Sequence, residues 1–155
     1  NFFLKISDII ADKYALYFSN NKNEFFSLDI KTGILNWKQK INSNLRATLI
    51  DDYIFTITLS GHLVVIDKNS GNFIRITDAF KSFKNKIKNK ILITGFVVGN
   101  DSIYISTSHG RLLVLDIETA KVINTIKIDN NKIARPLILN QKMFVTTDSS
   151  IIKLN

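Results

Sequence analysis

Short apolar stretches alternate with polar pairs and triplets along the chain, and the apolar stretches are rich in β-branched and aromatic residues. Tyr53-Ile54-Phe55-Thr56-Ile57-Thr58-Leu59 is the plainest example. Ala15–Ser19, Ser102–Thr107 and Lys142–Thr147 read the same way. Such residues fit a pleated, half-buried surface. No stretch of 12 or more residues keeps a 3.6-residue period. The pattern predicts an all-β chain.

These strands sit inside one recurring unit. Each is followed by a polar turn (Asn20–Asn23, Ser60-Gly61, Ser108–Gly110, Asp148–Ser150) and then by an apolar strand (Phe25–Leu28, Leu63–Ile66, Leu112–Leu115, Ile151–Leu154). Next comes Asp29, Asp67, Asp116 or Asn155. In the first three units a tight turn follows at Thr32-Gly33, Ser70-Gly71 and Thr119-Ala120. Ser7–Ala11, Ala47–Ile50, Gly95–Val98 and Ala134–Leu139 precede the units as a further strand. The intervals are 38 (Asp29 to Asp67), 49 (Asp67 to Asp116) and 39 (Asp116 to Asn155), and the long one holds an insertion, Lys81–Lys90.

A four-stranded unit repeating every ~40 residues is the signature of a β-propeller blade. The chain therefore reads as a propeller fragment of about three and a half four-stranded antiparallel blades, about 1–41, 42–80, 91–129 and 130–155. The strand Leu112–Leu115 is apolar on both faces, as a strand covered on two sides must be. An Asp with Thr or Ser three residues later suits a turn capped by its own side chain. Gly33 and Gly71 suit a left-handed position. Ala120 breaks that preference, so a different turn type is expected there.

Leu28-Asp29-Ile30-Lys31-Thr32-Gly33-Ile34-Leu35-Asn36-Trp37 closely resembles the L-D-x-x-T-G-x-x-x-W pattern of PQQ-like, quinoprotein-type propeller repeats. Ile66–Gly71 and Leu115–Thr119 are degenerate copies. The repeat motif thus comprises Asp29, Thr32, Gly33, Trp37, Asp67, Ser70, Gly71, Asp116 and Thr119. Within this family the last 60 residues resemble the C-terminal end of the BamB type, the lipoprotein propellers of outer-membrane β-barrel assembly. That resemblance implies a periplasmic or outer-membrane-associated scaffold and partners among outer-membrane assembly components. It also implies that Trp37 packs the outer strand of its blade against the next one.

Quinoprotein dehydrogenases share the repeat. Their site takes carboxylate and amide calcium ligands, a catalytic Asp and often a vicinal disulfide. This chain has no Cys and two Glu, Glu24 and Glu118. Eight of its 11 Asp (Asp12, Asp29, Asp51, Asp52, Asp67, Asp101, Asp116, Asp148) fall in turns. Their expected work is turn hydrogen bonding. His62 and His109 occupy equivalent turns with no third ligand in view. No nucleophile elbow and no glycine-rich phosphate loop is present. No catalytic, cofactor-binding or metal-binding residue is expected, and no cofactor.

Lysine and arginine total 21 against 13 acids, a net charge of +8 and a pI near 9.7. That balance invites an anionic partner. A compositional cause competes with it. Ile, Lys and Asn, all with A- and T-rich codons, number 25, 17 and 17 of the 155 residues. The one feature outside the repeat, Lys81–Lys90, holds Lys81, Lys84, Lys86, Lys88 and Lys90, and no acid occurs from Ala79 to Asn100. In an extended segment the last four would share a face and offer a docking loop for an acidic protein surface or lipid headgroups. A solvated loop is the bland alternative.

The best reading is a non-catalytic scaffold that binds proteins. A fragment of a PQQ-dependent dehydrogenase is the alternative, and a basic binder of nucleic acid or membrane surface the weaker third. No apolar run reaches the ~18 residues of a membrane span. Asn1–Leu4 is too short for a signal-peptide core, and the chain reads as a piece of something longer. Open blade faces are expected to pair with the rest of a propeller or with a second copy.

Overall fold

The computed structural model describes residues 5–81, 83–84, 88 and 90–154. Its strands are β1 (Ile10–Ala11), β2 (Ala15–Ser19), β3 (Glu24–Asp29), β4 (Leu35–Lys40), β5 (Thr48–Ile50), β6 (Tyr53–Ile57), β7 (His62–Asp67), β8 (Phe73–Asp78), β9 (Ile93–Val98), β10 (Ser102–Thr107), β11 (Arg111–Asp116), β12 (Val122–Lys127), β13 (Leu137–Leu139), β14 (Lys142–Thr146) and β15 (Ile151–Leu154). They form four sheets in simple meander order: β1–β4, β5–β8, β9–β12 and the three-stranded β13–β15. Every strand pairing described is antiparallel, and β3, β7 and β11 end on Asp29, Asp67 and Asp116 as the repeat predicts. Sequence order equals sheet order because each strand is joined to the next by a short turn.

The chain divides into two compact units, Asn1–Thr77 and Asp78–Asn155. In the first, Ile10, Tyr17, Phe25, Ile54 and Ile66 form a core, with Trp37 and Leu49 packed on it. In the second, Leu112, Ile133 and Val145 are buried, with Tyr104, Ile126, Met143 and Leu154 against them. Exposure grades across each full sheet. The third strands β7 and β11 are buried at four consecutive residues, and the fourth strands β4, β8 and β12 are largely open. This explains why β7 and β11 lack alternation: both faces leave water, while β3 keeps it, with Phe25 and Ser27 buried and Phe26 and Leu28 half-buried.

The acidic turns close as the sequence predicts. Asp29 Oδ1 accepts from the Lys31 and Thr32 N–H groups and from the Thr32 hydroxyl (3.0, 2.8 and 2.8 Å). Asp67 repeats this with Asn69 and Ser70, and Asp116 with Thr119. Each turn also closes through a backbone bond back to the acid's carbonyl, from Gly33, Gly71 or Ala120. The different turn expected at Ala120 does not occur. Its φ is 54°, beside 70° for Gly33 and 75° for Gly71. The side-chain bonds of Asp116 and Thr119 hold the same geometry in spite of the alanine Cβ.

Candidate functional site

The polar groups of the first unit converge on one junction between its two sheets. Asp12, in the turn between β1 and β2, accepts the Tyr14 and Ala15 N–H groups on Oδ1, each at 2.8 Å. Its other oxygen takes the Tyr17 hydroxyl at 3.4 Å and pairs with Lys68 at 3.5 Å. Lys68 also bonds the Asp51 carbonyl at 2.8 Å and pairs with Asp52 at 3.2 Å. Burial pulls the Asp12 carboxyl up, but the two N–H donors and Lys68 outweigh it and hold it below the ordinary value. Burial, then the Asp12 charge, pushes the Tyr17 phenol up to about 12. A polar cleft of 380 Å³ opens here, lined among others by Tyr14, Ser27, Asn36 and Asn69.

Trp37 completes the junction. Its ring stacks on Phe25 (centroids 6.1 Å apart, 12° between planes) and tilts against Tyr17. Its Nε1 donates to the Lys68 carbonyl at 2.8 Å. A Cβ on Gly71 would stand 2.7 Å from the indole, so this glycine is fixed both by its positive φ and by the ring. Trp37 thus joins the outer strand of the first sheet to the turn before β8. Sequence reasoning placed Asp12 and Trp37 but missed Tyr17 and Lys68 as their partners. The available signal was Lys68 directly after the repeat aspartate, which sets it at the mouth of the turn.

A cleft of 340 Å³ is lined by Tyr104, Leu112, Val114 and Ile126 on the third sheet and by Ile138, Gln141, Met143 and Leu154 on the fourth. Sequence reasoning did not foresee it.

The remaining candidates are dispersed. His62 opens β7 and His109 sits in the turn before β11, so the two do not share one position. His62 N–H bonds the Thr58 hydroxyl as Arg111 N–H bonds that of Thr107, so His62 aligns with Arg111. Each imidazole Nδ1 is within hydrogen-bond reach of a serine hydroxyl, Ser60 at 3.1 Å and Ser108 at 2.9 Å. Among the described residues no three His, Cys, Asp or Glu side chains are grouped to hold a metal. In the insertion, Lys86 lies outside the described residues. Residues 85, 87 and 89 lie outside the described residues as well, and the Lys88 N–H bonds the Lys84 carbonyl at 3.1 Å. Lys88 Nζ pairs with Asp78 at 2.8 Å. Lys81, Lys84 and Lys90 are exposed. No helix among the described residues is long and apolar enough to cross a membrane.

Residues 6–77 match the family model described as outer membrane protein assembly factor BamB. They include the fullest copy of the repeat motif, Asp29–Trp37. No curated protein matches the chain. Among solved structures, BamB from Moraxella catarrhalis is similar with a TM-score of 0.75 and 13% identity, over 95% of this chain and 41% of that one. The computationally designed Ika4 protein gives 0.74 and 12%, over 96% and 89% of the two chains. The β-propeller domain of Myceliophteria thermophila Cps50 (Swd1) gives 0.70 and 14%, over 90% and 48%. The chain thus spans less than half the length of the BamB it resembles. Residues 6–77 carry the BamB-type, PQQ-like repeat, and the chain as a whole has the β-propeller fold.

Proposed function

We propose that this chain is part of a non-catalytic propeller scaffold that binds other proteins, with a BamB-like role in outer-membrane protein assembly at the periplasmic side of that membrane. One observation carries the reading: the repeat carboxylates are spent on the fold. Asp29, Asp67 and Asp116 accept the turn donors around them, and Asp12 is tied to Tyr17 and Lys68. A carboxylate that accepts two or three hydrogen bonds is held in its ionised form and is a poor general base near neutral pH. Rigid sheets with variable turns suit recognition by surface contact. The match of residues 6–77 to the BamB family model supports the assembly role and its compartment.

The test is in-cell photo-crosslinking in the source organism, with the reactive group at exposed rim positions such as Lys31 and Asn69 and, separately, at Lys84. Adducts with outer-membrane assembly components support the reading. Adducts confined to nucleic acid, or to lipid at Lys84 alone, overturn it.

A further inference from the structure

The polar cleft of the first unit holds more hydrogen-bonding capacity than the fold uses. Its 380 Å³ fall within the range of small-ligand sites, about 300–1,000 Å³. Part of the lining is fully engaged. Both Asp12 oxygens accept hydrogen bonds, and the Lys68 ammonium meets the Asp51 carbonyl, Asp52 and Asp12 with its three N–H donors. Ser27 Oγ accepts the Asn36 amide N–H at 3.1 Å. The rest is not engaged. All three turn bonds of Asp29 fall on Oδ1, which leaves Oδ2. Asn36 Oδ1, the Asn69 side-chain amide and the Tyr14 hydroxyl likewise have no partner among the described residues.

The repeat does not dictate these groups. Asn36 is the extra residue of a β-bulge, since Ser27 lies opposite Trp37 and Leu28 opposite Leu35. A bulge re-aims the side chain it adds, and here it turns the amide toward Ser27. The same bulge in the third sheet carries Ile123, so the bulge belongs to the fold and the amide on it does not. Asn69 stands at a variable place of the motif turn, one residue before Ser70. Tyr14 is 64% exposed, with Lys13 Nζ 4.7 Å from its ring centroid. It brings an aromatic face to a cleft that is otherwise polar.

The character of the unspent groups selects the ligand. An anion would face Asp12 and Asp29, and the ammonium in the lining has no N–H to spare. A cation would find one half-used carboxylate but also Lys68 in the same cleft. A neutral polyhydroxyl molecule needs no charge. Its hydroxyls donate to carboxylate and amide oxygens and accept from amide N–H groups, and the flat C–H face of a pyranose packs on an aromatic ring. We infer that this cleft binds a saccharide with equatorial, glucose-type hydroxyls. The sugar ring lies on Tyr14, and its hydroxyls bond Asp29 Oδ2 and the amides of Asn36 and Asn69. The chemistry is the same for a free sugar and for a unit of a polysaccharide. The inference stands apart from the scaffold reading, because a scaffold that binds proteins at its rims does so whether or not this cleft takes a sugar.

The experiment is amide NMR of the full chain titrated with cellobiose and, separately, with cellohexaose, inorganic phosphate and argininamide. The expected result is saturable shifts at the Asn36 and Asn69 side-chain amides and the Tyr14 N–H with both sugars, while Asn124 and Asn131 in the second unit stay unmoved. Asn69→Ala removes one neutral hydrogen-bonding group, an expected loss of about fivefold in cellobiose affinity. Tyr14→Ala removes the stacking face, an expected loss of about tenfold. Both residues are exposed, so neither variant disturbs the core. Equal affinity for the two sugars assigns the cleft to a free sugar or a chain end, and tighter binding of cellohexaose assigns it to a polysaccharide chain. No saturable shift with either sugar, tighter binding of phosphate or argininamide than of cellobiose, or full affinity in either variant would overturn the proposal.

Discussion

At the scale of single residues, Trp37 and Ala120 lead to different predictions. Trp37 is half-buried, stacks on Phe25 and satisfies the Lys68 carbonyl. Trp37→Ala removes a large ring from a packed junction and is expected to cost about 3 kcal/mol, read as a lower urea midpoint. Trp37→Phe keeps most of the ring and loses one hydrogen bond, a cost of about 1 kcal/mol beyond the smaller area. Ala120 sits at φ 54°, where an L-residue is strained by roughly 1–2 kcal/mol. Ala120→Gly relieves that strain but adds unfolded-state freedom of about 0.5–1 kcal/mol. Removing the buried Ala120 methyl costs about 0.8 kcal/mol more, so the net change is expected to be near zero. Gly33→Ala, by contrast, should lose about 0.5–1 kcal/mol, because no atom lies within 4 Å of its added Cβ and only the strain of the positive φ counts.

The titrating residues set the pH limits. Asp29 is held low by the Thr32 N–H and hydroxyl, Asp67 by those of Ser70, and Glu24 by the Asn20 amide and Lys38. A carboxyl with a depressed folded value stabilises fully above its unfolded value of about 4, and that stability is lost as pH falls through the folded value. The melting temperature should therefore fall steadily below about pH 4, less steeply in an Asp29→Asn, Asp67→Asn double variant. Tyr17 works at the other end. Its folded value of about 12 lies above the ordinary 10, so its contribution is complete below pH ~10 and is lost as pH rises toward the folded value. Tyr17→Phe should flatten that alkaline limb. An unchanged limb would show that the phenol is not held in its neutral form.

At the scale of elements, the strands were legible because their period and their punctuation agree. Alternation or two-sided apolar runs marked β2, β3, β6, β7, β10 and β11, and polar pairs marked the turns. The first strands were harder. Ser7–Ala11 shrinks to Ile10–Ala11 with one isolated bridge from Ile6 to Asn20, and Ala134–Leu139 shrinks to Leu137–Leu139. These segments owe their conformation partly to side-chain bonds with neighbours far along the chain. Ser7 Oγ accepts the Ser19 N–H at 3.0 Å, and Arg135 Nε donates to the Phe96 carbonyl at 2.8 Å. The turn at Ala120 was misread because residue preference is a weaker force than the Asp116–Thr119 bonds. The junction at Tyr17 and Lys68 was legible only as a lysine directly after the repeat aspartate; the pairing itself joins residues 51 positions apart. The cleft lined by Tyr104 and Met143 was not legible, since its walls come from strands of two different sheets.

At the scale of the molecule, apolar surface decides behaviour more than charge. One face of the fourth sheet carries Leu137, Leu139 and Ile151 at 58, 55 and 72% exposure. Lys142 and Lys153, exposed as well, belong to the same face by register. One face of the first sheet carries Leu16, Phe18, Phe26 and Leu28, half-buried, with Phe18 stacked on Phe26 at 5.3 Å. Contiguous apolar surface of this kind is usually covered in stable monomers. The isolated 155-residue chain is expected to self-associate in light scattering, with a dependence on concentration that Leu137→Lys and Ile151→Lys weaken. Mass that stays monomeric at high concentration would show that these faces need no cover.

The central claim is that the carboxylates of this propeller serve its turns and that the chain is a scaffold. Titration calorimetry of the folded chain with PQQ in the presence of calcium tests it most directly. The account predicts no saturable heat. One quinone bound per chain, dependent on calcium, would contradict it and would return the chain to the quinoprotein dehydrogenases.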